Sequence, residues 1–232
     1  MGRASRARAA ARHGRPTAAQ LLLRRPLPED QETLARLLGM VIPGDPGTEH
    51  FAMQLATIPI PAARAGHYAT GGAWVAEEQG TTVGLIVAVP PLAWIDSVPV
   101  LEHDRRLLLS HRVVECEYMA VDPAARGRKL GVLMTKHARR QFIARGFRLM
   151  TGTVTEDNFG LLPYYRSMGW KTLRPGEAMG ILEPAHPIAV WRPAEPHVVQ
   201  MWLLLHSEVT VTNWPTPTGI RPVINGVLPV PR

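Results

Sequence analysis

The chain has 232 residues, of which 46% are hydrophobic and 19% charged, a composition typical of one globular domain with extensions. The formal charge of +7 falls to +2 without the five arginines of the first fifteen residues, so a nucleic-acid-binding face on the folded part is not supported. The single cysteine, Cys116, excludes an intrachain disulfide framework and favours a reducing, cytoplasmic compartment.

Three regions are predicted along the chain. Residues 1–18 are rich in Ala and Arg and contain no acidic residue, so they are predicted to form a flexible arm. Residues 19–208 are predicted to form one domain, and residues 209–232 a Pro-rich C-terminal extension that could pack on a second copy of the chain. No apolar run reaches the ~20 residues of a membrane helix, so no membrane association is expected.

Hydrophobic periodicity and turn residues predict the elements of the domain. Strands are predicted at 20–25, 73–78, 82–89, 113–121, 148–155 and 198–205. Helices are predicted at 29–39, 48–57, 104–109, 129–145 and 163–168, and a long Pro-containing loop at 174–197. Hairpins early in the chain, followed by strands that alternate with helices, indicate a mixed α/β domain.

The strand at 113–121 carries two carboxylates, Glu115 and Glu117. Strict alternation places both on one face with Val113, Met119 and Val121, and places Cys116 and Tyr118 on the other. Like charges this close raise the pKa of one carboxyl towards the range of a general base. The alternative is that this end of the strand is solvated and that both glutamates are ordinary surface residues.

The next segment, 122–131, is a basic, glycine-containing turn that leads into the amphipathic helix. Free amides and the helix dipole at a helix N-terminus favour an anion. Arg126, Arg128 and Lys129 add positive charge there, although the dipole disfavours cations at this end. The turn therefore favours an anionic ligand over an ordinary helix start.

A third piece follows the strand that ends at Thr155. Asn158 could cap a helix or contact a ligand, and Tyr164 or Tyr165, at the tip of a short helix, could donate a proton, although both tyrosines could also be packing residues. Gly169 suits a left-handed C-cap. The nine histidines include no i, i+4 pair for a zinc site, and no metal is predicted.

In this order the three pieces resemble the GNAT superfamily, the GCN5-related N-acetyltransferases. Val121-Asp122-Pro123 resembles the family's strand end, and residues 126–131 resemble its Arg/Gln-x-x-Gly-x-Gly/Ala turn. Asn158 and residues 165–170 resemble its Asn followed by Tyr-x-x-x-Gly-Phe. The resemblance covers about residues 20–206 and implies the GNAT fold: a mixed, mostly antiparallel sheet splayed into a V with flanking helices, and acyl-CoA in the split.

The resemblance also implies roles for individual residues. Glu115 would be the general base, with Glu117 as its substitute, and Tyr165 would protonate the departing thiolate. Cofactor contacts would come from the strand, the turn and Asn158; the strand and turn residues are Met119, Ala120, Val121, Arg126, Gly127, Arg128, Lys129, Leu130 and Gly131. One position departs from the family pattern, because Lys129 stands where the first glycine lets the backbone approach the phosphates.

The activity implied is that of a bacterial N-acetyltransferase, in which a primary amine attacks acetyl-CoA directly in a ternary complex. A small-molecule acceptor is expected rather than a protein. Two alternatives stay open: a non-catalytic acyl-CoA-binding module, suggested by Lys129, and an N-acyltransferase that uses a longer acyl-CoA or an acyl carrier. The segments expected to select the acceptor, 43–72, 90–110 and 174–197, have no recognisable pattern.

Overall fold

The computed structural model describes residues 21–57, 71–193 and 195–230, so the predicted arm at 1–18 and residues 58–70 lie outside the described residues. Strands within these ranges are β1 Leu21–Arg24, β2 Gly72–Glu78, β3 Thr81–Val89, β4 Val113–Val121, β5 Leu149–Thr155, β6 Lys171–Thr172, β7 Met179–Glu183, β8 Ile188–Arg192, β9 Val198–Leu204, β10 Thr210–Thr216 and β11 Gly219–Asn225. Helices are α1 Gln31–Gly39, α2 Thr48–Thr57, α3 Leu92–Asp96, α4 His103–Ser110, α5 Leu130–Ala144 and α6 Leu162–Ser167.

The predicted elements agree with the structure where the hydrophobic pattern is regular. α2 and β4 have the predicted bounds, α5 and α6 differ from theirs by one residue at each end, and β5 and β9 differ by one residue at one end. Pro163 stands in the first turn of α6, where its missing amide is tolerated. None of the described helices is long and apolar enough to cross a membrane.

Seven strands form the main sheet in the order β1-β2-β3-β4-β5-β9-β6, in which β4 and β5 are parallel and the other neighbours antiparallel. β4 and β5 pair from Val113 with Leu149 to Cys116 with Gly152. β4 then continues to Val121 and β5 to Thr155 without pairing to each other. The two strands therefore separate into a V, which confirms the predicted fold class.

A bulge interrupts β4 at the point where the V opens. Val87 of β3 lies opposite Tyr118, and Ala88 lies opposite Cys116, so Glu117 is an extra residue with no partner on β3. Such a bulge reverses the alternation of side chains in the residues that follow it.

The predicted faces of β4 are wrong beyond this bulge. Met119 packs with Cys116 in the cluster beneath α5, although strict alternation placed them on opposite faces. Tyr118 instead packs with the residues of α1 and α2 on the other side of the sheet. The reason is the extra residue, Glu117, which shifts every later side chain of the strand to the opposite face.

Each side of the main sheet has its own core. On one side the amphipathic α5 packs on the sheet through a cluster that includes Trp74, Val114, Met134, Ala138 and Phe142. On the other side α1 and α2 pack through a cluster that includes Leu34, Leu38, Leu55, Val75 and Leu85. α5 thus covers one face of the main sheet, and α1 and α2 cover the other.

A second sheet has the order β10-β11-β7-β8. Its β7–β8 hairpin corrects the sequence analysis, which predicted a loop over 174–197. The prolines of this segment lie at 175, before β7, at 184 and 187, in the turn of the hairpin, and at 193 and 196, after β8. The β-branched and aromatic residues between them can therefore pair without an interrupting proline.

The segment after residue 208 also belongs to the second sheet, because β11 pairs in parallel with β7. A third cluster packs this sheet on α3, α4 and the start of β4 and β5; it includes Trp94, Leu109, Val113, Leu149 and Ile181. The predicted boundary between residues 208 and 209 stays a prediction.

Candidate active site

The V between β4 and β5 contains a cleft with a volume of about 670 Å³. It is lined by the turn at 126–131, at the start of α5, apart from Arg128, and by residues 40–42, which follow α1. Glu117, Tyr118 and Tyr165 also line it. The cleft is large enough to hold parts of two reactants side by side.

The turn before α5 has the backbone of an anion site. Gly127 and Lys129 have positive φ angles of 79° and 61°. Lys129 thus follows the left-handed path that glycine takes without strain, at a cost of about 1 kcal/mol. Lys129 is also the N-cap residue of α5, and its side chain makes no capping bond. The first-turn amides of Leu130 and Gly131 have no partner within the helix and remain available to a ligand.

Asp122 holds the start of this turn. Its carboxylate accepts a hydrogen bond from Ala124 N at 2.9 Å and pairs with Arg36 at 2.7 Å. These two contacts lower the pKa of Asp122, with the bond from the Ala124 amide the stronger cause. The carboxylate is therefore ionised, and its two oxygens bind the turn amide and Arg36.

The three cations predicted for the turn do not all face the cleft. Arg126 Nε donates to the Val121 carbonyl oxygen at 3.3 Å, which folds its side chain over the end of β4 beside the cleft. Lys129 also borders the cleft. Arg128 Nη1 instead lies 2.5 Å from Glu78 Oε2 and does not border it. Arg126 and Lys129 therefore supply the positive charge at this end.

Glu115 lies outside the cleft and is held in an ion pair. Arg192 Nη2 of β8 donates to Glu115 Oε1 at 2.6 Å, and Arg192 Nη1 donates to Thr151 Oγ1 at 3.1 Å. The guanidinium also lies over the Trp94 ring, 5.8 Å from its centroid. Each side chain of the ion pair is only 12% exposed. A carboxylate held in this way is poorly placed to accept a proton from a substrate.

Glu117 borders the cleft at the bulge in β4. Its side chain has access to solvent through the open cleft. The surrounding protein nevertheless desolvates the carboxyl and raises its pKa, and the charge of Glu115 raises it further. A raised pKa moves this carboxyl towards the range of an effective general base.

Two tyrosines of α6 border the cleft. Tyr165 packs against the Trp170 ring with centroids 6.2 Å apart, and burial raises the pKa of its phenol, which therefore stays protonated. The Tyr164 hydroxyl lies against Gly131, where a Cβ would collide with it. Tyr165 is thus a protonated donor in the middle of the cleft, and Tyr164 lies nearer the turn.

Cys116 and Asn158 also border the cleft. Burial raises the pKa of the Cys116 thiol to about 12, so the thiol stays neutral. Asn158 Nδ2 donates to Thr155 Oγ1 at 3.2 Å and stays exposed at the end of β5.

Eleven of the thirteen predicted site residues border the cleft, and Glu115 and Arg128 do not. Sequence reasoning missed Arg192, because its strand was predicted as a loop. It also passed over residues 40–42, although three apolar residues directly after the end of a helix are a recognisable signal. It considered Tyr164 without choosing it, because the family pattern selects Tyr165.

Solved structures of acetyltransferases share this fold. YncA from Salmonella typhimurium, determined with its cofactor acetyl-CoA, has a TM-score of 0.54 and 14% identity over 83% of this chain and 98% of its own. The diaminobutyrate acetyltransferase EctA from Paenibacillus lautus, determined with L-2,4-diaminobutyric acid and coenzyme A, has a TM-score of 0.51 and 16% identity over 83% and 100%. Aminoglycoside 6'-acetyltransferase type Ii has a TM-score of 0.51 and 14% identity over 81% and 99%.

At these identities the structural likeness shows the fold alone. The chain matches no curated protein. The model of the Acetyltransferase (GNAT) family matches residues 46–170, which is more than half of the chain, and the protein therefore belongs to the GNAT family.

Proposed function

We propose that the chain is an N-acyltransferase that transfers an acetyl group from acetyl-CoA to a primary amine by direct attack in a ternary complex. The observation that carries this proposal is one continuous cleft that joins the uncapped N-terminus of α5 to Glu117 and Tyr165. Coenzyme A or acetyl-CoA in the structures of EctA and YncA supports the choice of donor.

The donor would lie along the edge of β4 and the turn. Past Cys116, β4 has lost β5 as its neighbour, so main-chain groups around Met119, Ala120 and Val121 can pair with a ligand instead of a strand. The amides at 127–131 and the side chains of Arg126 and Lys129 suit a pyrophosphate. Asn158 would border the donor from the end of β5, and Arg128 would contribute no more than its amide. Acetyl-CoA supplies a thioester, which is an activated acyl group.

In this proposal Glu117 takes the role of general base, and Glu115 does not. Glu117 accepts a proton from the acceptor's ammonium, directly or through one water, and frees the nitrogen lone pair. The nitrogen forms a bond to the acyl carbon as the carbon–sulfur bond breaks, and Tyr165 donates its phenolic proton to the departing sulfur. The second amine proton then restores the phenol of Tyr165, and the first leaves Glu117 for solvent.

The test is a screen of primary amines with acetyl-CoA, in which free thiol and the mass of the acetylated amine are measured. Amine-dependent release of CoA is the expected result. Binding of acetyl-CoA in a calorimeter without turnover on any amine would favour a non-catalytic acyl-CoA-binding module. Turnover with a longer acyl-CoA or an acyl carrier, and not with acetyl-CoA, would keep the transfer and change the donor.

A further inference from the structure

Residues that line the cleft pack in the clusters on both sides of the main sheet. Met119 packs in the cluster beneath α5, and the basic turn begins that helix, so the end with the turn lies in the α5 layer. Tyr118 packs with the cluster of α1 and α2, and residues 40–42 follow α1 directly. If the donor's phosphates occupy the turn, the end left for the acceptor is the one at Tyr118 and residues 40–42.

The acceptor end of the cleft has an apolar wall. Met40 is 37% exposed, although Leu37 and Leu38 just before it are fully buried. Val41 and Ile42 are partly exposed and line the cleft with Met40. Solvated apolar side chains on a concave surface favour an apolar ligand, because each loses contact with water when the ligand binds.

The Tyr118 ring extends this wall. The ring lines the cleft and contacts Phe51 of α2, with ring centroids 5.6 Å apart. Contact with Phe51 holds it in place as a flat surface, on which an aromatic or aliphatic group can pack.

The charge at this end is negative. Glu117 directly precedes Tyr118 on β4 and lines the cleft, whereas the other charged lining residues among the described ones, Arg126 and Lys129, belong to the turn before α5. Burial, then Glu117 and then Asp45, raise the pKa of the Tyr118 phenol, so a second carboxylate stands nearby. An ammonium group is therefore favoured here, and a carboxylate on the acceptor would find no counter-charge beside Tyr118 and residues 40–42, because the described cationic lining residues, Arg126 and Lys129, belong to the turn.

A second ammonium on the acceptor would also be poorly accommodated. Asp45 does not line the cleft, and its Oδ1 already accepts a hydrogen bond from Gly47 N at 2.7 Å. A polyamine would thus place its second charge on the apolar wall.

From these contacts we infer that the acceptor is a hydrophobic primary monoamine without a carboxylate. Its ammonium lies at Glu117, and its apolar part packs on Met40, Val41, Ile42 and the Tyr118 ring. This inference rests on the proposed function and adds the chemical class of the acceptor.

The first test compares four acceptors at saturating acetyl-CoA: 2-phenylethylamine, L-phenylalanine, ethanolamine and spermidine. L-Phenylalanine adds a carboxylate to 2-phenylethylamine, ethanolamine replaces the ring by a hydroxyl, and spermidine replaces it by further charges. We expect kcat/KM for 2-phenylethylamine to exceed each of the others by at least about tenfold, from burial of one aromatic ring and from the unpaired charge of the alternatives.

The second test uses matched methionine variants. Met40→Gln places a polar side chain of similar size in the wall, and Met53→Gln makes the same change on α2, where Met53 has the same 37% exposure but does not line the cleft. We expect Met40→Gln to lower kcat/KM for 2-phenylethylamine by about three- to tenfold while leaving that for ethanolamine unchanged. Met53→Gln should change neither.

The two tests distinguish a wrong acceptor class from a wrong assignment of acetyl transfer. Preference for L-phenylalanine, ethanolamine or spermidine would overturn the acceptor class and leave the transfer intact. An equal loss for both substrates in Met40→Gln would also overturn it, since the wall would then not recognise the apolar part. If no amine releases CoA while acetyl-CoA still binds, the proposed transfer is rejected, and the acceptor class with it.

Discussion

Arg192 of β8 and Glu115 of β4 join the two sheets through an ion pair, with 2.6 Å between Nη2 and Oε1. The same guanidinium reaches Thr151 of β5, which is the register partner of Glu115 in the parallel pair. One side chain of the second sheet therefore ties together the two strands of the V just before they separate. Glu115, the predicted base, is thus held in an ion pair outside the cleft, whereas Glu117 lines the cleft.

The first prediction concerns Glu117→Gln. Removal of the proposed base should lower kcat/KM by about 10²- to 10⁴-fold, which is the usual contribution of a positioned general base. The fold should be retained, because the side chain is solvent-accessible and no described residue forms an ion pair with it. Steady-state kinetics and urea unfolding measure the two effects separately.

Glu115→Gln is the matched control, with an opposite pattern expected. The neutral amide leaves the Arg192 charge without its partner at a site where both side chains are 12% exposed. Loss of one partner of such a pair should lower the free energy of unfolding by about 3 kcal/mol. If Glu115→Gln abolished turnover under conditions where the protein stays folded, and Glu117→Gln did not, Glu115 would be the base.

The second prediction concerns pH. Desolvation by the surrounding protein and the charge of Glu115 raise the pKa of Glu117 above its ordinary value of 4.5, so kcat/KM should rise with pH through that higher pKa. In the same interval, from 4.5 up to the raised pKa, native Glu117 binds more proton than the unfolded chain. The free energy of unfolding should therefore fall as pH rises through it.

Glu117→Gln should remove both pH effects. Its kcat/KM profile should keep only the limb that comes from ionisation of the amine, and its stability should vary less across the interval. Burial raises the pKa of Tyr165, so this group should add no descending limb near neutral pH. A profile for Glu117→Gln that superimposed on the wild-type profile would remove Glu117 from the proton transfer.

The third prediction separates the two tyrosines of α6. Tyr165→Phe should lower kcat by about 10²-fold, because the departing thiolate loses its proton donor. Tyr164→Phe should act mainly on KM for acetyl-CoA, because its hydroxyl lies against Gly131 at the turn. Steady-state kinetics with acetyl-CoA as the varied substrate distinguishes them, and equal losses of kcat would argue against a distinct role for Tyr165.

The sequence was sufficient for elements whose signal is local. α2 and β4 were predicted with their bounds, because hydrophobic periodicity and turn residues lie within each segment. The turn at 122–131 was recognised for the same reason, since its glycines, cations and following helix are contiguous. The V-shaped sheet was predicted from the family resemblance, because the sequence of a single strand does not show where its pairing with a neighbouring strand ends.

The remaining features depend on pairing between distant segments. The bulge at Glu117 is a shift in the register of β4 against β3, and the residue types of β4 alone do not predict it. Arg192 and Glu115 are 77 positions apart in the chain. Because prolines flank β8, its sequence was predicted as a loop, and the strand that brings Arg192 to Glu115 was not recognised. The sequence therefore predicted Glu115 as the base, with Glu117 second, without showing that of the two only Glu117 lines the cleft.

The last prediction concerns Lys129, which stands at the family's glycine position with a φ of 61°. Lys129→Gly removes a left-handed strain of about 1 kcal/mol, and the greater entropy of unfolded glycine offsets part of that gain. Gln79→Gly is the matched control, because Gln79 has a φ of 52° in the β2–β3 turn and does not line the cleft. Both variants should raise the free energy of unfolding by less than about 1 kcal/mol.

The two glycine variants should differ in their affinity for CoA. Lys129→Gly loses an ammonium at the phosphate end of the cleft and should bind CoA a few-fold more weakly, with a smaller dependence on salt. Gln79→Gly should bind as the wild type does. Calorimetry at low and high salt measures both affinities. If Lys129→Gly bound CoA as tightly as the wild type at both salt concentrations, the amides of the turn would bind the phosphates without the lysine, and lysine at the family's glycine position would not affect donor binding.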